Sequence, residues 1–254
     1  MLLVLAGAVV IFVRHESRAK WQLVWHDEFS GTAVQASHWK VRNDSWAANE
    51  ESIDTARPAN VQVAGGTLRL IARRETYTAG STTRQFTSGY LDTVGKHSWR
   101  YGRFEIRAKL PQSVGLWPAF WLRTDQGPGE VDVVEAVGGD PRRTVESVHR
   151  STDGGQDKVS HEDVLPSGST ATWHTYAVQL EPAKITWSID GRVVQTVRAA
   201  DVPWLADSFD QPVNIRLNLQ VGGAFPRYYG RPVGPGTVFP AQFVIDWVRV
   251  YQYG

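Results

Sequence analysis

The sequence predicts an all-β protein, a sandwich or jelly roll of two antiparallel sheets, on three observations. Short stretches of alternating apolar and polar residues recur along the chain, separated by turns rich in glycine and proline. Helical periodicity is scarce, and only Val202 to Phe209 suits one short helical turn. At 254 residues, with no repeat or low-complexity segment, the chain has the length of one large β domain. Its eleven tryptophans suit a large core, and they also suit a sugar-binding cleft, where flat rings stack on pyranoses.

The chain opens on an unbroken apolar run, Leu2 to Val13. The run is shorter than the about 20 residues of a membrane span and matches the core of a signal peptide. No basic residue separates it from Met1, no A-x-A cleavage site follows, and Arg14, Arg18 and Lys20 come after it. In an anchor, those positive charges would favour a cytoplasmic body. Segment 1–20 is therefore read as an export signal or membrane anchor, with a first core element as the alternative, and 21–254 as the folded domain. Val61 to Val63 and Leu68 to Ile71 flank Gly65-Gly66 and read as a hairpin. Phe104 to Leu110 and Tyr176 to Leu180 alternate cleanly. Ile185 to Ile189 meets Asp190-Gly191 and then Arg192 to Val194, a strong hairpin signal because both turn residues need positive φ. Val213 to Gln220 and Phe243 to Tyr251 complete the series. In the last, Val244, Val248 and Val250 fall on one face and Ile245 and Trp247 on the other, which predicts burial on both faces.

The stretch Gly129-Glu130-Val131-Asp132-Val133-Val134-Glu135-Ala136 reads as a strand between two turns, yet it carries three carboxylates. Glu130 and Asp132 share a face because side chains alternate. The next acid on that face is expected at position 134, and it stands at 135. One bulged residue between Asp132 and Glu135 restores the pattern, and bulges recur beside active sites. Glu130 and Glu135 would then lie about 13 Å apart at Cα, at ~3.3 Å per residue. Side chains leaning together can approach the about 5–5.5 Å carboxyl separation of a retaining glycosidase. Like charges on one face raise the pKa of one member, which suits a protonated acid beside an ionised nucleophile. A solvated acidic face or a cation site is the plainer alternative.

Composition narrows the function. A formal charge of +1 gives no basic field for nucleic acid, and Arg73-Arg74 and Arg142-Arg143 read as surface arginines. With no cysteine there is neither a disulfide framework nor a thiolate metal site. The chain has no G-x-S-x-G elbow, no glycine-rich phosphate loop, and no H-E-x-x-H, since Asp163-Val164-Leu165 follows His161-Glu162. Ser151 to Asp157 reads as a polar loop.

Taken with its surroundings, the acidic stretch resembles glycoside hydrolase family 16, and within it the laminarinase-like β-1,3-glucanases. The landmarks run from Trp21 to Tyr251: Trp25-His26-Asp27-Glu28-Phe29, Asn49-Glu50, Thr87-Ser88-Gly89, Tyr101 to Glu105 and Gly115-Leu116-Trp117-Pro118-Ala119-Phe120-Trp121-Leu122. After the acidic stretch come Trp173-His174-Thr175-Tyr176, Asp190-Gly191, Leu217 to Gly223 and Asp246 to Tyr251. The resemblance implies a β-jelly-roll with the acidic strand crossing a concave cleft. It implies Glu130 as nucleophile, Glu135 as acid/base, and Asp132 tuning the nucleophile through a hydrogen bond. The implied reaction is retaining endo-hydrolysis of β-1,3- or mixed β-1,3/1,4-glucan.

Trp117 and Trp121 share a face if their segment is extended; the resemblance puts that face in the cleft, with core packing as the alternative. It makes Asn49 and Glu50 contacts to sugar hydroxyls, against a structural turn, and sets Asn218 in the cleft. His149 matches a histidine that holds Asp132 or the substrate, against a purely structural role. Two positions depart from the subgroup: Tyr90 stands where arginine is common, and Phe225 stands near a usual tryptophan. Both touch the glycone side of the cleft, which bears on the choice of polymer. Glu28, Gly66 and Asp246 fall where some members bind a structural calcium through two carboxylates and a carbonyl; no cofactor is required for the chemistry. The expected partner is a polysaccharide, the expected state a monomer, and the expected place secreted or membrane-anchored outside the cell, with the N-terminal segment touching the membrane. Rival readings are a family 16 enzyme on a galactan such as agar or carrageenan, a transglycosylase, and a non-catalytic glucan-binding protein. The last typically lacks one or both glutamates, and both are present.

Overall fold

The structure, a computed structural model, describes residues 20–254. The expectation for segment 1–20 lies outside the described residues, Lys20 excepted. The elements begin with β1 (Trp21–Asp27), β2 (Lys40–Val41), β3 (Ser52–Asp54), β4 (Val61–Ala64), β5 (Thr67–Ala79) and β6 (Thr82–Ser88). They continue with β7 (Tyr90–Asp92), β8 (Gly102–Lys109), β9 (Leu116–Thr124), β10 (Gly129–Ala136), β11 (Arg143–Thr152) and β12 (Gly155–Val164). The chain closes with β13 (His174–Glu181), β14 (Lys184–Ile189), β15 (Arg192–Arg198), α1 (Leu205–Ser208), β16 (Val213–Val221), α2 (Ala224–Tyr228) and β17 (Ala241–Tyr253).

Two sheets form the jelly-roll sandwich. The ten-stranded sheet runs β15-β14-β13-β8-β17-β5-β6-β3, with β1 on β17 and β4 on β5. The seven-stranded sheet runs β12-β11-β10-β9-β16-β7-β2. Pairing is antiparallel except between β3 and β6. Alternation fills the space between the sheets. Phe104, Ile106 and Ala108 of β8 point inward with Tyr176 and Val178 of β13, against Phe120 and Leu122 of β9 and Ile215, Leu217 and Leu219 of β16. Burying such rows yields about 1.5–3 kcal/mol per large side chain, and this holds the sheets together.

The Gly65-Gly66 and Asp190-Gly191 hairpins form, with Gly65, Gly66, Asp190 and Gly191 all at positive φ. Two expectations need correction. The segment read as a polar loop is the tight end of the β11–β12 hairpin, and β12 follows it as an edge strand. Its apolar residues are too few to alternate visibly. Nor is β17 buried on both faces. Its register against β8 shifts between Ile245 and Trp247, so Phe243, Ile245, Val248 and Val250 all face the core. Trp247 turns outward beneath the Arg249 guanidinium, 4.1 Å from the ring centre.

Candidate active site

The cleft crosses the outer face of the seven-stranded sheet, and β10 is its centre. The bulge expected from the acid spacing is present. The register of β10 shifts between Asp132 and Glu135 against β11, and between Asp132 and Val134 against β9. The extra residue lets Val131, Val133, Val134 and Ala136 all join the core while Glu130, Asp132 and Glu135 line the cleft. The opposite sheet braces the bulge: Trp187 of β14, fully buried, donates its indole N–H to the Asp132 carbonyl at 2.9 Å.

Each acid has a different partner. Arg123, directly opposite on β9, donates from Nη1 to Glu130 Oε2 at 2.8 Å. His149 on β11 hydrogen-bonds Asp132 Oδ2 through Nε2 at 2.7 Å. Trp117 on β9 donates its indole N–H to Glu135 Oε1 at 2.7 Å. Among the described residues the hydrogen bond of the Asp132 carboxylate goes to His149, and its charge bears on both glutamates. Burial, and then that charge, push the Glu135 carboxyl well above its usual range, with the Trp117 bond opposing. The same two causes raise Glu130 less, because His149, Arg123 and Arg216 oppose them. Burial disfavours a charged His149, but the hydrogen bond and charge of Asp132 outweigh it and raise its pKa. Burial and charge therefore hold the proton on Glu135 more strongly than on Glu130.

The remaining expected residues converge on the same cleft. Trp117 and Trp121 share its floor, and Trp121 donates to Asn218 Oδ1 at 2.7 Å. Phe225 of α2 stacks on Trp117 with ring centres 4.8 Å apart. Tyr90 lies 6.4 Å from Trp121, and burial pushes its phenol up to about 12, which keeps it a proton donor. Asn49 and Glu50 line the cleft. Glu50 is also structural: it accepts from the Ala47 N–H and, at 3.2 Å, from the Ser52 hydroxyl, and burial lifts it to about 7. Gly223, at φ 97°, seats the following segment against Asn49, since a Cβ there would lie 1.8 Å from the Asn49 carbonyl oxygen.

Several lining residues were not anticipated: Arg42, Asp54, Arg123, Arg216, Lys158, Tyr228 and Tyr229. Two of them were within reach of the alternation rule. Arg123 is two residues beyond Trp121, and Arg216 two before Asn218, so each shares the cleft face. Arg216 lies over Trp121, 4.9 Å from the ring centre. The donors expected for calcium are already matched. Glu28 accepts from Arg249 at 2.9 and 3.0 Å, and Asp246 is paired with Arg107. Each carboxylate thus has a guanidinium counter-ion, and the set does not fit a cation as it stands.

A two-sheet sandwich with a bulged acidic strand crossing its cleft, two glutamates on one face and one of them raised further than the other, has the architecture of a glycoside hydrolase. Residues 49–249 match glycosyl hydrolases family 16, and the chain belongs to that family. It is 35% identical over 266 residues to a β-glucanase of Rhodothermus marinus, covering 94% of this chain and 88% of that one. It is 32% identical over 268 residues to glucan endo-1,3-β-glucosidase A1 of Niallia circulans, covering 92% of this chain and 38% of that longer one. The X-ray structure of an endo-β-1,3-glucanase from Pyrococcus furiosus matches with a TM-score of 0.81 at 33% identity, covering 93% of this chain and 96% of that one.

Proposed function

We propose that the protein is a retaining endo-hydrolase of β-1,3- or mixed β-1,3/1,4-glucan. The bulge in β10 carries this reading, because it sets two glutamates with unlike surroundings on one cleft face. The β-glucanase names of its relatives support the choice of polymer. Glu135 donates its proton to the glycosidic oxygen as the bond from that oxygen to the anomeric carbon breaks, and Glu130 bonds to that carbon as an ester. The ester removes the negative charge of Glu130, one of the charges that raises Glu135. The pKa of Glu135 then falls, and as a base it takes a proton from water, whose oxygen displaces Glu130. Trp121 and Asn218 offer a stacking face and an amide to the sugars. The apolar run Leu2 to Val13 supports export or anchoring of the domain outside the cell.

Reducing-sugar release from laminarin, lichenan, carboxymethyl-cellulose, agarose and κ-carrageenan tests the reading, with Glu130→Gln and Glu135→Gln beside the wild type. Cleavage of laminarin or lichenan is expected, with a loss of roughly 10²–10⁴-fold when the general acid is removed. The first product seen by proton NMR should be the β-anomer. Activity confined to a galactan would overturn the glucan assignment and point to Tyr90 and Phe225, and an α-anomer would overturn the retaining one.

A further inference from the structure

We propose that the cleft continues past the catalytic strand onto β12, where Tyr228, Lys158 and Gln156 form a saccharide subsite for the leaving portion of the polymer. The proposal rests on the endo-hydrolase reading above. An endo-acting cleft must hold sugars on both sides of the bond it breaks. On one side of β10 lie β9, β16 and β7 with Trp121, Asn218 and Tyr90; on the other lie only β11 and the edge strand β12. A polymer crossing the strands must pass over β12.

The edge strand is built for that contact. Asp157, Val159, His161 and Asp163 are half-buried, while Gln156, Lys158, Ser160 and Glu162 are exposed on the opposite face. Register identifies that face as the cleft face. Lys158 pairs with His149, and Ser160 pairs with Ser147, their hydroxyls 2.8 Å apart. Gln156 and Lys158 line the cleft itself. An exposed row of amide, ammonium and hydroxyl groups supplies the donors and acceptors that sugar hydroxyls need.

The end of the α2 segment beyond Phe225, which itself stacks on Trp117, forms the facing wall. It is tied at one end by Arg227 to Glu51, and at the other by the Tyr229 hydroxyl, which donates to Glu162 Oε1 of β12 at 2.8 Å. Between these ties Tyr228 meets Tyr229 edge-on at 5.0 Å and is 82% exposed, although it lines the cleft. An aromatic ring left in water on the wall of a cleft gains by covering the apolar face of a sugar. The direction of the chain follows from the two-step chemistry. The glycone stays bound through both steps, which suits the densely lined β9–β16–β7 flank. The leaving portion departs after the first, which suits the sparsely lined β12 flank.

The test compares Tyr228→Ala and Gln156→Ala with the wild type on two substrates; Lys158 is left in place because its charge also acts on Glu135. One is whichever polymer of the panel above the wild type cleaves fastest. The other is the 4-nitrophenyl glycoside of that polymer's disaccharide, whose leaving group is not a sugar. The ratio of kcat/KM on polymer to kcat/KM on aryl glycoside is expected to fall about tenfold in each variant, because remote binding energy is lost only with the polymer. Transfer to added disaccharide acceptor should fall in step. A ratio within about twofold of wild type, or equal losses on both substrates, would overturn the subsite while leaving the hydrolase reading intact. A wild type that cleaves no polymer would sink the hydrolase reading, and the subsite with it.

Discussion

Glu130 and Glu135 have the same side chain, and their neighbours separate them. Arg123 donates to one oxygen of Glu130, and its charge favours the ionised form. Trp117 donates to Oε1 of Glu135, so the transferable proton belongs on Oε2. Both donors stabilise the charged form, so removing either raises the pKa of its own glutamate. The consequences fall on opposite limbs of the pH profile. Arg123→Met should move the acid limb of kcat/KM to higher pH, because Glu130 then ionises later. Trp117→Phe keeps an aromatic ring beside Phe225 and should move the alkaline limb to higher pH, because Glu135 keeps its proton longer. Both should lower the rate at the optimum. Full pH–rate profiles on one soluble substrate check the pair, and limbs that stay in place would mean that neither donor acts on the charge.

Strand β10 presents all three acids to the cleft only because it is out of register with itself. The bulge that turns Glu135 into the cleft is held from behind by Trp187, which reaches across the sandwich to the Asp132 carbonyl. Trp187→Phe removes that donor and leaves a gap in the core. The expected cost is about 2–4 kcal/mol of stability by denaturant titration, combining an unpaired carbonyl and a small cavity. The rate should fall as well in the fraction that stays folded, because Asp132 and Glu135 lose their fixed positions. An unchanged kcat would show that β9 and β11 alone fix the bulge. This bulge was legible in the sequence because it breaks the order of the acids: position 134 is Val where alternation asks for a carboxylate. The bulge in β17 left no such mark, since Val244 and Ile245 are apolar in either phase. Edge strand β12 is polar on both faces, so it offered no hydrophobic period, and its lysine and glutamine escaped notice. The α2 segment, with Pro226 inside five helical residues, is too short to show a period of 3.6. The site was thus readable where chemistry interrupts a pattern, and hidden where a pattern never formed.

The two faces of the seven-stranded sheet differ: one carries the cleft, and the other seals the core. The seal contains a buried acid that lies outside the cleft lining. Glu146 on β11 is fully buried, and neither carboxyl oxygen has a hydrogen-bond partner among the described residues. Burial pushes its pKa from 4.5 up to about 8, opposed chiefly by the neighbouring Thr144 hydroxyl, which makes no well-formed hydrogen bond to it, while Asp163 raises it and Arg192 lowers it. Below about pH 4.5 folded and unfolded chains both carry this proton. Between there and about 8 the folded chain keeps a proton that the unfolded chain has released, so the contribution of Glu146 to stability declines as pH rises. Above that window the loss is complete, with a ceiling of about 5 kcal/mol. Glu146→Gln has nearly the same shape and no charge to bury. It should match the wild type below about pH 4.5 and exceed it progressively towards about pH 8 in urea unfolding curves. Glu130, Glu135, Glu50 and Asp54 are raised too and give the wild type the same slope, so the difference between the two proteins isolates Glu146. Parallel curves at both ends of the range would mean that water reaches the Glu146 carboxylate in the folded protein.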